Sequence, residues 1–134
     1  MNAKVQRRRD LGVLVAFALK TANPNNGATG NSRVAGIIKA KKRKAERETA
    51  HAQVLSARPL PDFPLVVRVT RVAPSEGLDP HDGLGAALKG CIDGIADALG
   101  LKNDRDPRVT FLTDQCRGPK GYYGVEIRIA ARDA

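Results

Sequence analysis

Apolar and polar positions follow two different periods along this chain. Residues 11–19, LGVLVAFAL, form a short apolar run closed by Lys20 and the turn-rich TANPNNGATGN, which predicts a buried strand leaving into an exposed loop. From Ser32 to about Ala57 nothing breaks a helix, Ala, Lys, Arg and Glu dominate, and Asn31 or Ser32 can cap the start. The apolar residues of this helix lie near its ends, at Val34, Ile37, Ile38 and at Val54, Leu55, so the ends are expected to dock while the middle, KAKKRKAER, stays in water. RPLPDFP is a Pro-bounded connection. In LVVRVTRVAP, Val67 and Val69 alternate with Arg68 and Thr70, the period of a strand. Between Leu84 and Leu99, Leu84, Leu88, Cys91, Ile92, Ile95 and Leu99 fall on one helical stripe. RVTFLT and YYGVEIRIAA read as two further strands, the second with Val125, Ile127 and Ile129 on one face and Glu126 and Arg128 on the other. QCRGPKG between them reads as a hairpin-like connection. The order β-α-β-α-β-β predicts a small α/β single domain, a mixed β-sheet with two main helices, spanning 11–134 behind a basic tail at 1–10.

Composition narrows the function. The 134 residues carry 23 Lys+Arg against 14 Asp+Glu, a formal net charge of +9, within the size of one ordinary domain. Residues 1–58 hold 13 basic and 3 acidic side chains and the remainder 10 and 11, so a basic arm precedes a nearly neutral body. A polyanion is the partner such an arm suits, because phosphate neutralisation releases counterions. Aromatics make up 4% and Trp is absent, which argues against stacking of single-stranded bases as the main binding mode. Cys91 and Cys116 lack CxxC spacing, so neither a zinc ribbon nor a disulfide scaffold is indicated, and reduced thiols in a cytosol are expected. No apolar run is long enough to span a bilayer and LGVLVAFAL is not followed by a cleavage site, so a soluble cytoplasmic protein without a membrane partner is expected.

One segment runs against this basic background: EGLDPHDGLGAALKGCIDGIADALGLKNDRDP, Glu76 to Pro107. At about 100° per residue, Asp82, Lys89 and Asp93 fall within roughly 40° of one another, with Asp97 slightly further round, all away from the apolar stripe. Asp79 and His81 approach the helix start, while Asp104 and Asp106 follow its end. If the chain after Leu101 folds back along the helix, acids from both ends converge beside Lys89. Carboxylates so gathered suit Mg²⁺, a hard cation that takes oxygen ligands, and a lysine beside them suits a developing negative charge on phosphate. Gly85, Gly90 and Gly94 each cost about 1 kcal/mol relative to Ala in a helix, which points to close approach by a partner helix or a nucleic-acid strand. The same residues also admit a purely structural reading. Asp79 or Asp82 is then an N-cap, Asp93 and Asp97 a solvated face, Lys89 and Asp93 an i,i+4 pair, and Asp104 and Asp106 turn residues.

The run LDPHDGLGAALKGCIDGIADALGLKNDRDPRVTFL resembles the signature half of the RusA family of Holliday-junction resolvases, phage-type members in particular. The likeness extends upstream to the valine-rich LVVRVTRVAP and the basic KAKKRKAERETA. Carried onto this chain, it makes Asp82 the end of the first acidic motif, Lys89 the helix lysine, Asp93 the helix aspartate and Asp104 the acid of the later pair. Pro80, His81 and Gly83 depart from the family's closely spaced acids and leave Asp79 as the other nearby carboxylate, and Asn103 stands where a first acid is often found.

What the resemblance implies is a homodimeric, Mg²⁺-dependent endodeoxyribonuclease, with Mn²⁺ as an alternative cation, that resolves four-way DNA junctions in recombination and repair. Asp79, Asp82 and Asp104 are expected to hold the metal and Lys89 to act at the scissile phosphate, with His81 and Asp93 as additional candidates. If the protein is phage-encoded, it acts in the bacterial host cytoplasm. Lys39, Lys41, Lys42, Arg43, Lys44 and Arg47 are expected to grip backbone phosphates and so read junction shape over base identity. Two other classes stay open. One is a non-catalytic junction or nucleic-acid binding protein with a degenerate site; the other is a small basic RNA-binding or assembly protein.

Overall fold

The strands bury every second side chain, and that alternation sets the layers. The computed structural model describes residues 4–8, 12–21, 32–75, 77 and 83–132. In chain order these form β1 (Lys4–Arg8), β2 (Gly12–Ala18), α1 (Ser32–Ser56), β3 (Leu65–Ala73), α2 (Gly83–Ala98), β4 (Val109–Arg117) and β5 (Gly124–Ala131). Val13, Val15 and Phe17 of β2, Leu65, Val67 and Val69 of β3, and Val125, Ile127 and Ile129 of β5 all point to one buried face. Against it pack the stripe of α2, with Leu84, Leu88, Cys91, Ile92 and Ile95, and the C-terminal half of α1, with Ala50 and Val54, followed by Ala57 just past its end. Burying a Val, Leu or Ile side chain contributes about 1.5–3 kcal/mol, so this single apolar layer holds sheet and helices together. The protein is a small α/β domain, as the periodicities predict.

Topology departs from expectation in two places. The sheet order is β1-β2-β5-β3-β4, so β3 separates the last two strands. Residues 118–123 are therefore not a hairpin. β4 pairs with β3 in parallel, β5 pairs with β3 antiparallel, and the connection crosses the end of β3, where Gly118 N–H donates to the Ala73 carbonyl at 2.9 Å. A parallel pair needs a crossover, which α2 supplies. The second correction concerns the N-terminus. Lys4–Arg8, expected in a tail, is an edge strand antiparallel to β2, with Val5 opposite Val15. Edge strands rich in Lys and Arg resist pairing with other chains, so basic composition does not exclude a strand here.

The two helices meet through glycine. A Cβ at Gly94 would collide with the Arg47 carbonyl and Ala50, and one at Gly90 would lie 3.0 Å from the Arg43 carbonyl. Partner-helix approach thus accounts for both residues. Gly85 has open space within 4 Å and is left without that reason. The C-terminal end of α1 docks as expected, but its N-terminal end does not: Val34, Ile37 and Ile38 are all more than half exposed. Nor is the basic middle wholly wet, since Glu46 is 3% exposed and its Cβ packs beside Gly90. Among the described residues no helix is long and apolar enough to cross a membrane.

Candidate functional site

The acids that follow α2 reach its lysine because of the way the helix ends. Gly100 has φ +75°, in the left-handed region open to glycine. Leu101 N–H donates to the Ala96 carbonyl at 2.9 Å and Gly100 N–H to the Asp97 carbonyl at 3.1 Å, a Schellman termination. Leu101 is buried behind it, which anchors the reversal in the core. The chain then runs back along α2 through a loop stiffened by its own side chains. Asn103 Oδ1 accepts from Arg105 N–H at 2.8 Å, and Asp106 Oδ1 accepts from Arg108 N–H at 2.9 Å. Asn103 is a turn-former here.

This reversal delivers Asp104. Lys89 Nζ donates to Asp104 Oδ2 at 3.1 Å and lies 3.1 Å from Asp93 Oδ1, so one ammonium bridges a helix carboxylate and a loop carboxylate. Burial alone would lower the Lys89 pKa, but the bonds to Asp104 and Asp93 outweigh it and hold the ammonium above its ordinary value. Lys89 is therefore a permanent cation at neutral pH. It can stabilise negative charge and cannot serve as a general base.

Other members of the acidic segment separate. Asp97 turns toward α1, where Arg47 Nε and Nη2 donate to its two oxygens at 2.6 and 2.8 Å. That pairing draws the Asp97 carboxyl below its ordinary pKa, and it commits Arg47, expected to grip phosphate, to an interhelix bond. Asp106 likewise turns away, and the Arg108 side chain and backbone bonds hold its pKa at about 2. Asp79, His81 and Asp82 lie outside the described residues. Among the described residues no group of three His, Cys, Asp or Glu side chains is arranged to hold a metal. The donor chemistry of Asp93 and Asp104 does suit a hard cation, since each engages Lys89 through one oxygen and retains the other.

The basic half of α1 stands clear of the body. Lys39, Lys41, Lys42, Arg43 and Lys44 are all exposed, and among the described residues the one ion pair of their side chains is Lys44 with Glu48 at 3.8 Å between well-exposed groups. Such a pair holds the lysine weakly. Both cysteines are free thiols, Cys91 buried in the core and Cys116 exposed. Burial first, and then Glu46, pushes the Cys91 thiol up to about 12. It is an inert core residue.

No family model, curated protein or solved structure matches this chain. One residue of chemical interest escapes the periodicity reading altogether. Arg71 occupies a core-facing position of β3, in step with Leu65, Val67 and Val69, and the sequence signal for it is a charge at a position of apolar parity.

Proposed function

We propose that this protein is a Mg²⁺-dependent, structure-selective DNA endonuclease that resolves four-way junctions. The observation that carries this reading is the meeting of Lys89 and Asp104, fifteen positions apart, at 3.1 Å on a solvent-facing side of α2. The resemblance carries site roles onto both residues, and helix geometry alone brings only Lys89 and Asp93 together. In this reading Lys89 holds a positive charge against the scissile phosphate, and Asp93 and Asp104 fix the direction of its ammonium. Asp104, with Asp79 and Asp82, holds the cation, which when bound neutralises the phosphodiester and activates water. The exposed Lys39 to Lys44 stretch binds backbone phosphates, which suits recognition of shape over base identity. Val34, Ile37 and Ile38, bare on the same helix, are the surface on which the homodimer forms. The protein works in the cytoplasm, where free thiols persist.

A second reading has its own observation. The Lys89 ammonium occupies the space between Asp93 and Asp104, where a shared cation would sit, which suits a junction or nucleic-acid binder that keeps the cluster as a clamp. Incubation with a labelled synthetic four-way junction and Mg²⁺, beside Asp82→Asn and Asp104→Asn, separates the two. Paired nicks lost in both variants support the nuclease. Binding without nicks in either Mg²⁺ or Mn²⁺ overturns it and leaves the binder.

A further inference from the structure

Arg71 lacks a structural reason for its position. It is 9% exposed, faces the helix side of the sheet near the end of β3, and makes no hydrogen bond or ion pair with any described residue. Yet no described buried side-chain nitrogen is without a partner, so the Arg71 guanidinium meets open space rather than being sealed in. A buried cation is costly unless something negative reaches it.

The space it meets is a cavity of about 430 Å³ lined by Arg71, Ser75, Gly77, Gln115, Cys116 and Arg117. Its lining contains two guanidiniums, a carboxamide and a hydroxyl, and no acid among the described residues. The register explains the grouping. Arg71 lies opposite Gln115, and Ala73 opposite Arg117, across the parallel β3–β4 pair, so the three polar residues share one side of the sheet. Arg117 Nε donates to the Pro74 carbonyl at 3.2 Å, which fixes the root of its guanidinium and leaves the terminal nitrogens for a ligand. A Cβ on Gly77 would sit 2.7 Å from the Gln115 side chain, so glycine lets the chain pass flat against that amide. The carboxyl ends of parallel strands are where α/β sheets accept ligands, and paired guanidiniums favour phosphate oxygens.

We infer that this cavity binds one phosphodiester group of a nucleic-acid backbone, with Arg71 and Arg117 as its ligands. The choice of a backbone phosphate over a free one rests on the nucleic-acid reading of α1, and not on cleavage. Cys116, one position out of step with Gln115 and Arg117, turns its thiol to the other side of the sheet. Ser75 is exposed and lines the cavity, so a Ser75→Cys, Cys116→Ser double variant carries one accessible thiol at the site while the remaining cysteine is inert in the core.

Alkylation of the double variant at position 75 by N-ethylmaleimide, followed by mass spectrometry on the full chain, is measured with and without a four-way junction whose binding is tracked by fluorescence anisotropy, and with orthophosphate alone. With about nine-tenths of the protein bound, alkylation slows about tenfold, since reaction then proceeds through the free fraction. Arg117→Gln, an exposed and therefore tolerant position, flattens the slope of log affinity against log salt by about 0.9 and removes the protection. Arg71→Gln does the same where circular dichroism shows it folded. If DNA binds while the thiol at position 75 reacts at its free rate, this site is overturned and the nucleic-acid reading stands. If no nucleic acid binds, both fall. Protection by orthophosphate but not by bound DNA overturns the backbone assignment.

Discussion

Lys89 Nζ lies 3.1 Å from Asp104 Oδ2, joining the middle of α2 to a loop residue fifteen positions further along the chain. Because Lys89 is 43% exposed at its side chain, the pair contributes no more than about 1 kcal/mol to stability. Asp104→Asn is accordingly expected to leave the melting temperature nearly unchanged. Lys89→Met is expected to reduce junction cleavage by about 10²–10³-fold, the loss typical of removing one charge-stabilising donor. A cleavage assay beside a thermal melt checks both. A large stability loss with intact cleavage would show the pair to be a clamp only.

The glycines of α2 separate by context. Gly94→Ala forces a Cβ into the Arg47 carbonyl and Ala50, so a loss of about 1–3 kcal/mol is expected from overpacking between the helices. Gly85→Ala meets nothing and is expected to stabilise by up to about 1 kcal/mol through helix propensity. Urea denaturation of the two variants measures the contrast. Should Gly85→Ala weaken DNA binding while stabilising the fold, a nucleic-acid strand approaches at that position.

Asp97 and Arg47 give the acid limb of the stability curve. The Asp97 carboxyl is depressed in the fold from 3.8, chiefly by the Arg47 hydrogen bond. The unfolded chain therefore takes up a proton more readily than the folded one. The pair's contribution is fully present above about pH 3.8 and is lost as pH falls through the depressed value. Denaturation of wild type and Arg47→Ala from pH 5 downward is expected to show a difference that shrinks across this range. A constant difference would mean that Arg47 acts through packing and not through charge.

Asp106 offers a spectroscopic check on the returning loop. Its carboxyl is expected to titrate at about 2, and Arg108→Ala to raise it toward the ordinary 3.8. Carbon-detected NMR titration reads the two values directly. An unshifted wild-type carboxyl would mean that the loop does not hold Asp106 against Arg108.

Replacing Lys41, Lys42, Arg43 and Lys44 by Gln is expected to leave folding intact, since all four are exposed. The salt dependence of DNA affinity is expected to flatten by about 0.9 log unit for each phosphate contact removed. An unchanged slope would place the nucleic-acid surface elsewhere on the molecule.

Much of the fold was legible because it depends on local spacing. Alternation places Val67 and Val69 inward, and the 3.6-residue stripe of Leu84, Leu88, Cys91, Ile92 and Ile95 orients α2, so both layers follow from short-range pattern. The same rule puts Lys89 and Asp93 on one face, which the 3.1 Å ion pair bears out. Pairing order was not legible. RVTFLT and YYGVEIRIAA are neighbours in sequence, but β3 lies between them, because register and crossover are decided by which strands share the buried face.

The sequence by itself determined every element but β1, the charge asymmetry and the lysine-carboxylate side of α2, since each follows from residue type and helical or strand period. Tertiary structure alone decided the rest. A left-handed Gly100 and a buried Leu101 turn Asp104 back onto Lys89, close packing at Gly90 and Gly94 gives Arg47 to Asp97, and strand register gathers Arg71, Gln115 and Arg117 around one cavity. These are contacts between residues far apart in the chain. Packing and register specify them, and no local pattern encodes which distant partner a side chain will meet.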